Sequence, residues 1–123
     1  MDGQQWPTVE HYFQAQKFVQ HDPEYAEQVR LAATPGAAKR MGRSRQHRVR
    51  EDWLGAREPV MLTALRAKFT QHEPSRAVLL STGGEELVEH APWGDAYWGD
   101  GGNGTGRNRL GVLLMQVREE LHA

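Results

Sequence analysis

Residues 6–42 read WPTVEHYFQAQKFVQHDPEYAEQVRLAATPGAAKRMG, and three helix-start signals divide them. Thr8, just after Pro7, suits an N-cap, which predicts a helix from about Val9 to Val19 before His21, Asp22 and Pro23 stop it. Asp22 followed by Pro23 repeats the signal, with proline at the first helical position, and opens a helix through PEYAEQVRLAA. Thr34 and Pro35 do the same for PGAAKRMG. Three helices in this stretch make the first third of the chain helical.

Working outward, RSRQHRVREDWLGARE is irregular or begins another helix, and Pro59 restarts one in which Val60, Leu62, Leu65 and Phe69 fall near helical spacing. A short helix is expected over SRAVLLST. Beyond Gly83 and Gly84, EELVEHA lies between a glycine turn and Pro92 and is predicted to be a short strand. The last element, NRLGVLLMQVREEL, places Leu110, Leu113, Leu114, Val117 and Leu121 on one helical face.

With 123 residues and 38% hydrophobic composition, the chain has room for one domain with one modest core. Its 15 basic and 16 acidic residues leave a formal charge of -1, so no global field draws it to nucleic acid or an anionic membrane. The absence of cysteine excludes disulfides, zinc–thiolate sites and thiol nucleophiles. The N-terminus has neither a basic region nor an apolar run, and the chain is expected to be soluble and cytoplasmic. The six histidines match no H-E-x-x-H spacing, so neither a metal nor another cofactor is expected.

Residues seven apart on a helix point the same way, which puts Glu10 and Lys17 on one strip, about 10 Å apart along the axis. That exceeds the reach of an ordinary helix ion pair. Val9, Tyr12, Phe13 and Val19 form the main apolar side, while Phe18 lies across the helix. The strip is either one wall of a cleft or a pair of solvated residues placed to suit the helix dipole.

Two other segments carry candidate chemistry. From Lys39 to Arg50 there are six basic residues followed by Glu51, Asp52 and Trp53. They read as a phosphate clamp with an aromatic platform for a base, or as a charged surface, and Arg43 beside Gly42 stands apart from the rest. Five glycines fall between Gly99 and Gly106, flanked by Asp95, Tyr97 and Trp98. Gly99, Gly101 and Gly104 satisfy G-x-G-x-x-G, but no strand leads in, and the 19 residues that follow are too few for a dinucleotide-binding unit. Gly101–Arg107 approximates a Walker A loop in which Arg107 and Asn108 stand where Lys and Ser/Thr are needed. A ligand-approaching turn and a structural loop both remain open.

Together WPTVEHYFQAQKF, GR followed by REDW, KFTQH with LLSTGGEELVE, and DAYWGDGGNGTGRNRLGVLLMQVR resemble the NADAR, or YbiA-like, domain family. The match spans nearly the whole chain in the family's order. The resemblance implies an α+β domain, mostly helical with a small sheet, and an N-glycosidase activity. Its expected substrates are early riboflavin intermediates, in which an aminopyrimidine is joined to ribose phosphate, or guanine bases carrying ADP-ribose, including those of nucleic acid. By the same resemblance Glu10, Lys17 and Asp95 are catalytic candidates, with Trp53 and Asn108 also matching motif positions. Trp6, Arg43, Trp98, Gly99 and Gly106 complete the expected substrate-binding set. Lys17 is a candidate for a Schiff base with the open-chain sugar. Family members begin with a further strand and a Ser-Asn-Phe-like segment, whereas this chain opens five residues before Trp6; a single domain over residues 1–123 without that segment is expected. The rival readings are a module that binds ADP-ribose or a nucleotide without cleaving it, and a nucleic-acid-binding protein relying on the basic segment.

Overall fold

The computed structural model describes residues 4–122 and contains six helices. They are α1 (Val9–Gln16), α2 (Pro23–Arg30), α3 (Pro35–Met41), α4 (Trp53–Gln71), α5 (Glu73–Ser81) and α6 (Arg109–His122). The chain divides into two compact units, Met1–Ala67 and Lys68–Ala123. Among the described residues no helix is long and apolar enough to cross a membrane.

In the first unit the predicted caps form. Thr8, Asp22 and Thr34 accept the backbone N–H groups of His11, Tyr25 and Ala37 at 3.2, 3.1 and 3.0 Å. Each satisfies one donor that a helix start leaves without an internal partner. The helix α1 ends earlier than expected. After Gln16 the Lys17 and Phe18 amides bond three residues back, to Gln14 and Ala15, and the tightened turn carries Phe18 into the core while Val19 is left 43% exposed. Phe18 is fully buried with Ala15, Tyr25, Ala26, Val29 and Ala38, where α1, α2 and α3 pack. His11 is a structural side chain of this core: its ring pairs with Thr8 Oγ1 at 2.8 Å and the Ala32 carbonyl at 3.0 Å.

The C-terminal end of the basic segment is tied down at two points. The His47 ring stacks on Tyr25 at 3.5 Å, and its Nδ1 lies 2.6 Å from Asp22 Oδ2. The Arg50 N–H donates to the Lys17 carbonyl at 2.9 Å. Both readings open for residues 43–58 apply in part: residues 43–52 are irregular, and α4 begins at Trp53 and runs through Pro59 without a restart. The Asp52 carbonyl accepts from Gly55 and Ala56 at 3.0 and 2.9 Å, and Trp53 packs on Phe13, so tertiary contact initiates the helix six residues before the proline. Pro59 gives up only its own N–H bond, to the carbonyl of exposed Gly55.

The second unit corrects the expected fold class. The α+β assignment with a small sheet fails: among the described residues there is no strand, and residues 85–91 carry no regular secondary structure. Two side chains, together with backbone bonds, satisfy the backbone of this segment. Asn108 accepts the Glu89 N–H at 2.8 Å and donates to the Leu87 carbonyl at 2.9 Å. Asp100 accepts the Ala91 N–H at 3.0 Å, and its own N–H donates to the Glu89 carbonyl at 2.8 Å. A segment held by amide and carboxylate groups has no need of a neighbouring strand. Helices α5 and α6 pack with Leu79, Leu113 and Val117 buried, and the buried Arg118 donates to Thr82 Oγ1 at 2.7 Å.

Asp100 organises the glycine-rich loop. Its carboxylate accepts from Ala91 and Gly102 N–H groups and pairs with His90 Nδ1, and these bonds, Ala91 first, hold its pKa at about 2. The folded value lies below the ordinary value of about 3.9, so Asp100 contributes stability above pH ~4 that is lost as pH falls toward ~2. Asp100→Asn is therefore expected to melt at a lower temperature at pH 7 and to lose less further stability between pH 4 and 2 than the wild type. Melting curves across that range check this; equal acid-side losses would remove Asp100 from the account.

Candidate active site

Residues 10, 13, 14 and 17 recur at helical spacing and form one strip along α1. Lys17 is the helix C-cap, but its φ of -58° keeps it in the helical region, so it stays in phase with Glu10. Its Nζ donates to the Gly42 carbonyl at 3.1 Å and lies 5.7 Å from the centroid of the Trp53 ring. Trp53 meets Phe13 edge-on, with ring centroids 5.0 Å apart. Phe13, on the expected apolar side, and Trp53 thus border the strip, whereas Phe18 is buried in the core and Val19 is 43% exposed.

The Lys17 ammonium is held below a lysine's ordinary pKa. Burial is the main cause, the Glu10 charge opposes it, and the Arg43 charge reinforces it. A lysine whose charged form is disfavoured is the kind that serves as a nucleophile. Arg43 is exposed and pairs with no carboxylate among the described residues, whereas Arg48 and Arg50 are engaged by Glu51 and Asp52. Two of the six cations of the basic segment are thus paired with the acids that follow it, and Arg43, beside Lys17, has no carboxylate of its own among the described residues.

Two neighbours of Glu10 and Lys17 had escaped the sequence reading. Gln14 donates from Nε2 to Glu10 Oε2 at 3.0 Å, an amide–carboxylate pair at i, i+4 that helix spacing alone allows. Gly42 faces Gln14 so closely that a Cβ there would lie 1.9 Å from Gln14 Oε1. No sequence signal pointed to this approach, because it joins α1 to the end of α3.

Trp6 packs elsewhere on α1. It meets Tyr12 edge-on, with centroids 5.1 Å apart, and Tyr12 lies about 200° around the helix from Glu10. Trp6 also packs against the core of the first unit.

The remaining candidates belong to the second unit and knit its loop. Asp95 Oδ1 accepts from the Tyr97 and Trp98 amides at 3.0 and 2.8 Å. The Trp98 ring packs edge-on against Tyr97, and the Trp98 carbonyl accepts from Leu110 at 3.0 Å. Gly99 is buried, and a Cβ there would lie 2.6 Å from that of Ala91; one on Gly106 would lie 2.4 Å from the Gly99 carbonyl oxygen. Asn108 has a φ of 50°, a left-handed conformation that asparagine tolerates better than most residues, and this aims its amide at residues 87 and 89. The Gly106 and Asn108 amides donate to the Asp100 and Gly99 carbonyls. The glycines here permit close backbone packing, and several loop amides are already bonded within the loop. Among the described residues no group of three or more His, Asp or Glu side chains is placed to hold a metal ion.

The chain is similar to known proteins along nearly all of its length. It is 56% identical over 121 residues to the N-glycosidase YbiA of Shigella boydii, covering 98% of this chain and 74% of that protein. It is 48% identical over 121 residues to a riboflavin biosynthesis protein of Vibrio vulnificus, covering 98% of this chain and 32% of that protein. The NMR structure of the E. coli protein YbiA superposes with a TM-score of 0.89 at 55% identity, covering 99% of this chain and 71% of that one. The NADAR domain model matches residues 1–122, and the chain belongs to the NADAR domain family.

Proposed function

We propose that the Glu10 and Lys17 strip is the reacting part of an N-glycosidase site for an aminopyrimidine-like base joined to a phosphorylated ribose. The chain is a hydrolase acting on N-glycosyl bonds, as its N-glycosidase relatives are. The observation that carries the assignment to these residues is Lys17: partly buried, lowered in pKa, and held between the Gly42 carbonyl and the Trp53 ring. The name of the Vibrio relative supports a riboflavin-pathway substrate.

The chemistry balances without further reagents. Opening of the sugar ring leaves C1 double-bonded to the departing amine, and the neutral Lys17 nitrogen adds to C1. The amine leaves with a proton, and the resulting Lys17 iminium takes up water at C1. The bond from C1 to Lys17 then breaks, the lysine amine is restored, and the sugar phosphate closes to its hemiacetal. One water is consumed and one amine is released. Glu10 carries protons between the entering and leaving groups, Trp53 offers its ring to the base, and Arg43 holds the phosphate.

Single-turnover reactions with the aminopyrimidine ribose phosphate and with ADP-ribosylated guanosine test this reading. Release of free aminopyrimidine from the first is the expected result. Release only from the second would transfer the substrate assignment to ADP-ribose. Stoichiometric binding of either without product would make the chain a reader rather than an enzyme.

A further inference from the structure

We infer that Gln14 is a positioning residue of the N-glycosidase reaction, holding the Glu10 carboxylate by one oxygen, and that Gly42 lacks a side chain in order to seat that amide. The inference rests on the assignment of Glu10 and Lys17 above.

Packing alone gives no reason for an amide at residue 14. Gln14 is only 5% exposed, and its Oε1 has no hydrogen-bond partner among the described residues. An unpaired buried carbonyl is unfavourable, and a methionine would fill a similar volume without it. What the amide supplies is the 3.0 Å bond from Nε2 to Glu10 Oε2. That bond fixes the carboxylate's rotation and leaves Oε1 of Glu10 to be presented to the substrate.

Gly42 gives an independent reason. Its φ is -65°, in the right-handed helical region, so its backbone places no demand for glycine. The demand comes from Gln14: a Cβ on Gly42 would lie 1.9 Å from its Oε1, 2.6 Å from its Cδ and 3.2 Å from its Cβ. The Gly42 carbonyl also accepts from Lys17 Nζ. One glycine thus provides the seat for the amide that holds Glu10 and the acceptor that holds Lys17. The two side chains are positioned relative to each other through it.

The test is a pair of double-mutant cycles on the aminopyrimidine ribose phosphate, reading kcat and KM separately, with thermal melting alongside. Gln14→Met is expected to lower kcat by roughly 10- to 100-fold with little change in KM, since misplacing a reacting group by about 1 Å costs on that order. It should cause no further loss in a Glu10→Gln background, because Gln14 acts through Glu10. Gly42→Ala is read against Gln14 alone, because the Gly42 carbonyl also holds Lys17: it should lower kcat, and combining it with Gln14→Ala should be no worse than Gln14→Ala alone. Losses that multiply with Glu10→Gln, or wild-type kcat in Gln14→Met, would overturn the role of Gln14. Where Gln14→Met does not fold, the cycle of Gln14→Ala with Glu10→Gln decides by the same criterion. A wild type that shows no turnover of any N-glycoside refutes the parent assignment instead.

Discussion

Lys17→Ala is expected to lower kcat by on the order of 10³-fold or more while the domain stays folded, the largest loss of any single substitution here. The side chain is half-buried at the end of α1, outside the core formed by Phe18 and its neighbours, so its removal should not unfold the first unit. Lys17→Arg should be equally inactive, because a guanidinium remains protonated and cannot add to C1. Borohydride added during turnover should trap a covalent adduct on the wild type and none on either variant. An active wild type that yields no adduct would leave Lys17 an electrostatic role and sink the Schiff base.

The same residue sets a pH dependence. In the proposed reaction the neutral amine is the nucleophile, and burial together with Arg43 lowers the Lys17 pKa against the opposing charge of Glu10. The rate of adduct formation should therefore climb with pH and level off below the ordinary lysine value of about 10.4. A profile that levels off only at or above that value would show that burial does not activate this amine.

The second large effect is expected from Glu10→Gln, which keeps the shape of the side chain and removes its charge. Turnover should fall by about 10²- to 10⁴-fold, the range attached to loss of a positioned acid or base. Binding should change much less, since Arg43 and Trp53 are untouched. Circular dichroism and melting must match the wild type for the result to count. A folded, fully active Glu10→Gln variant would remove Glu10 from the site.

Much of the architecture could be read locally because it rests on local chemistry. The caps at Thr8, Asp22 and Thr34 each use a side chain to satisfy an amide three residues on, and such signals survive without tertiary context. The leucine and valine stripe of α6 is of the same kind: Leu113 and Val117 are buried, and Leu110, Leu114 and Leu121 are half-buried beside them. The strand expected at residues 85–91 failed because backbone outside helices can be satisfied in more than one way. Asn108 and Asp100, distant in sequence, took the bonds that a partner strand would have made. Helix α4 began before Pro59 because Trp53 had Phe13 to pack against, a contact that no propensity within residues 43–58 encodes.

By itself, the sequence determined which residues could carry the chemistry: the Glu10 and Lys17 strip follows from helical spacing, and the family motifs single out the same pair. Tertiary structure decided the environment of that strip. The lowered Lys17 pKa requires burial, reinforced by the charge of Arg43 and opposed by that of Glu10, and the seat for Gln14 requires Gly42 at the end of a different helix. Spacing along a chain specifies direction within one helix. Desolvation and close approach between helices depend on what the rest of the chain brings alongside.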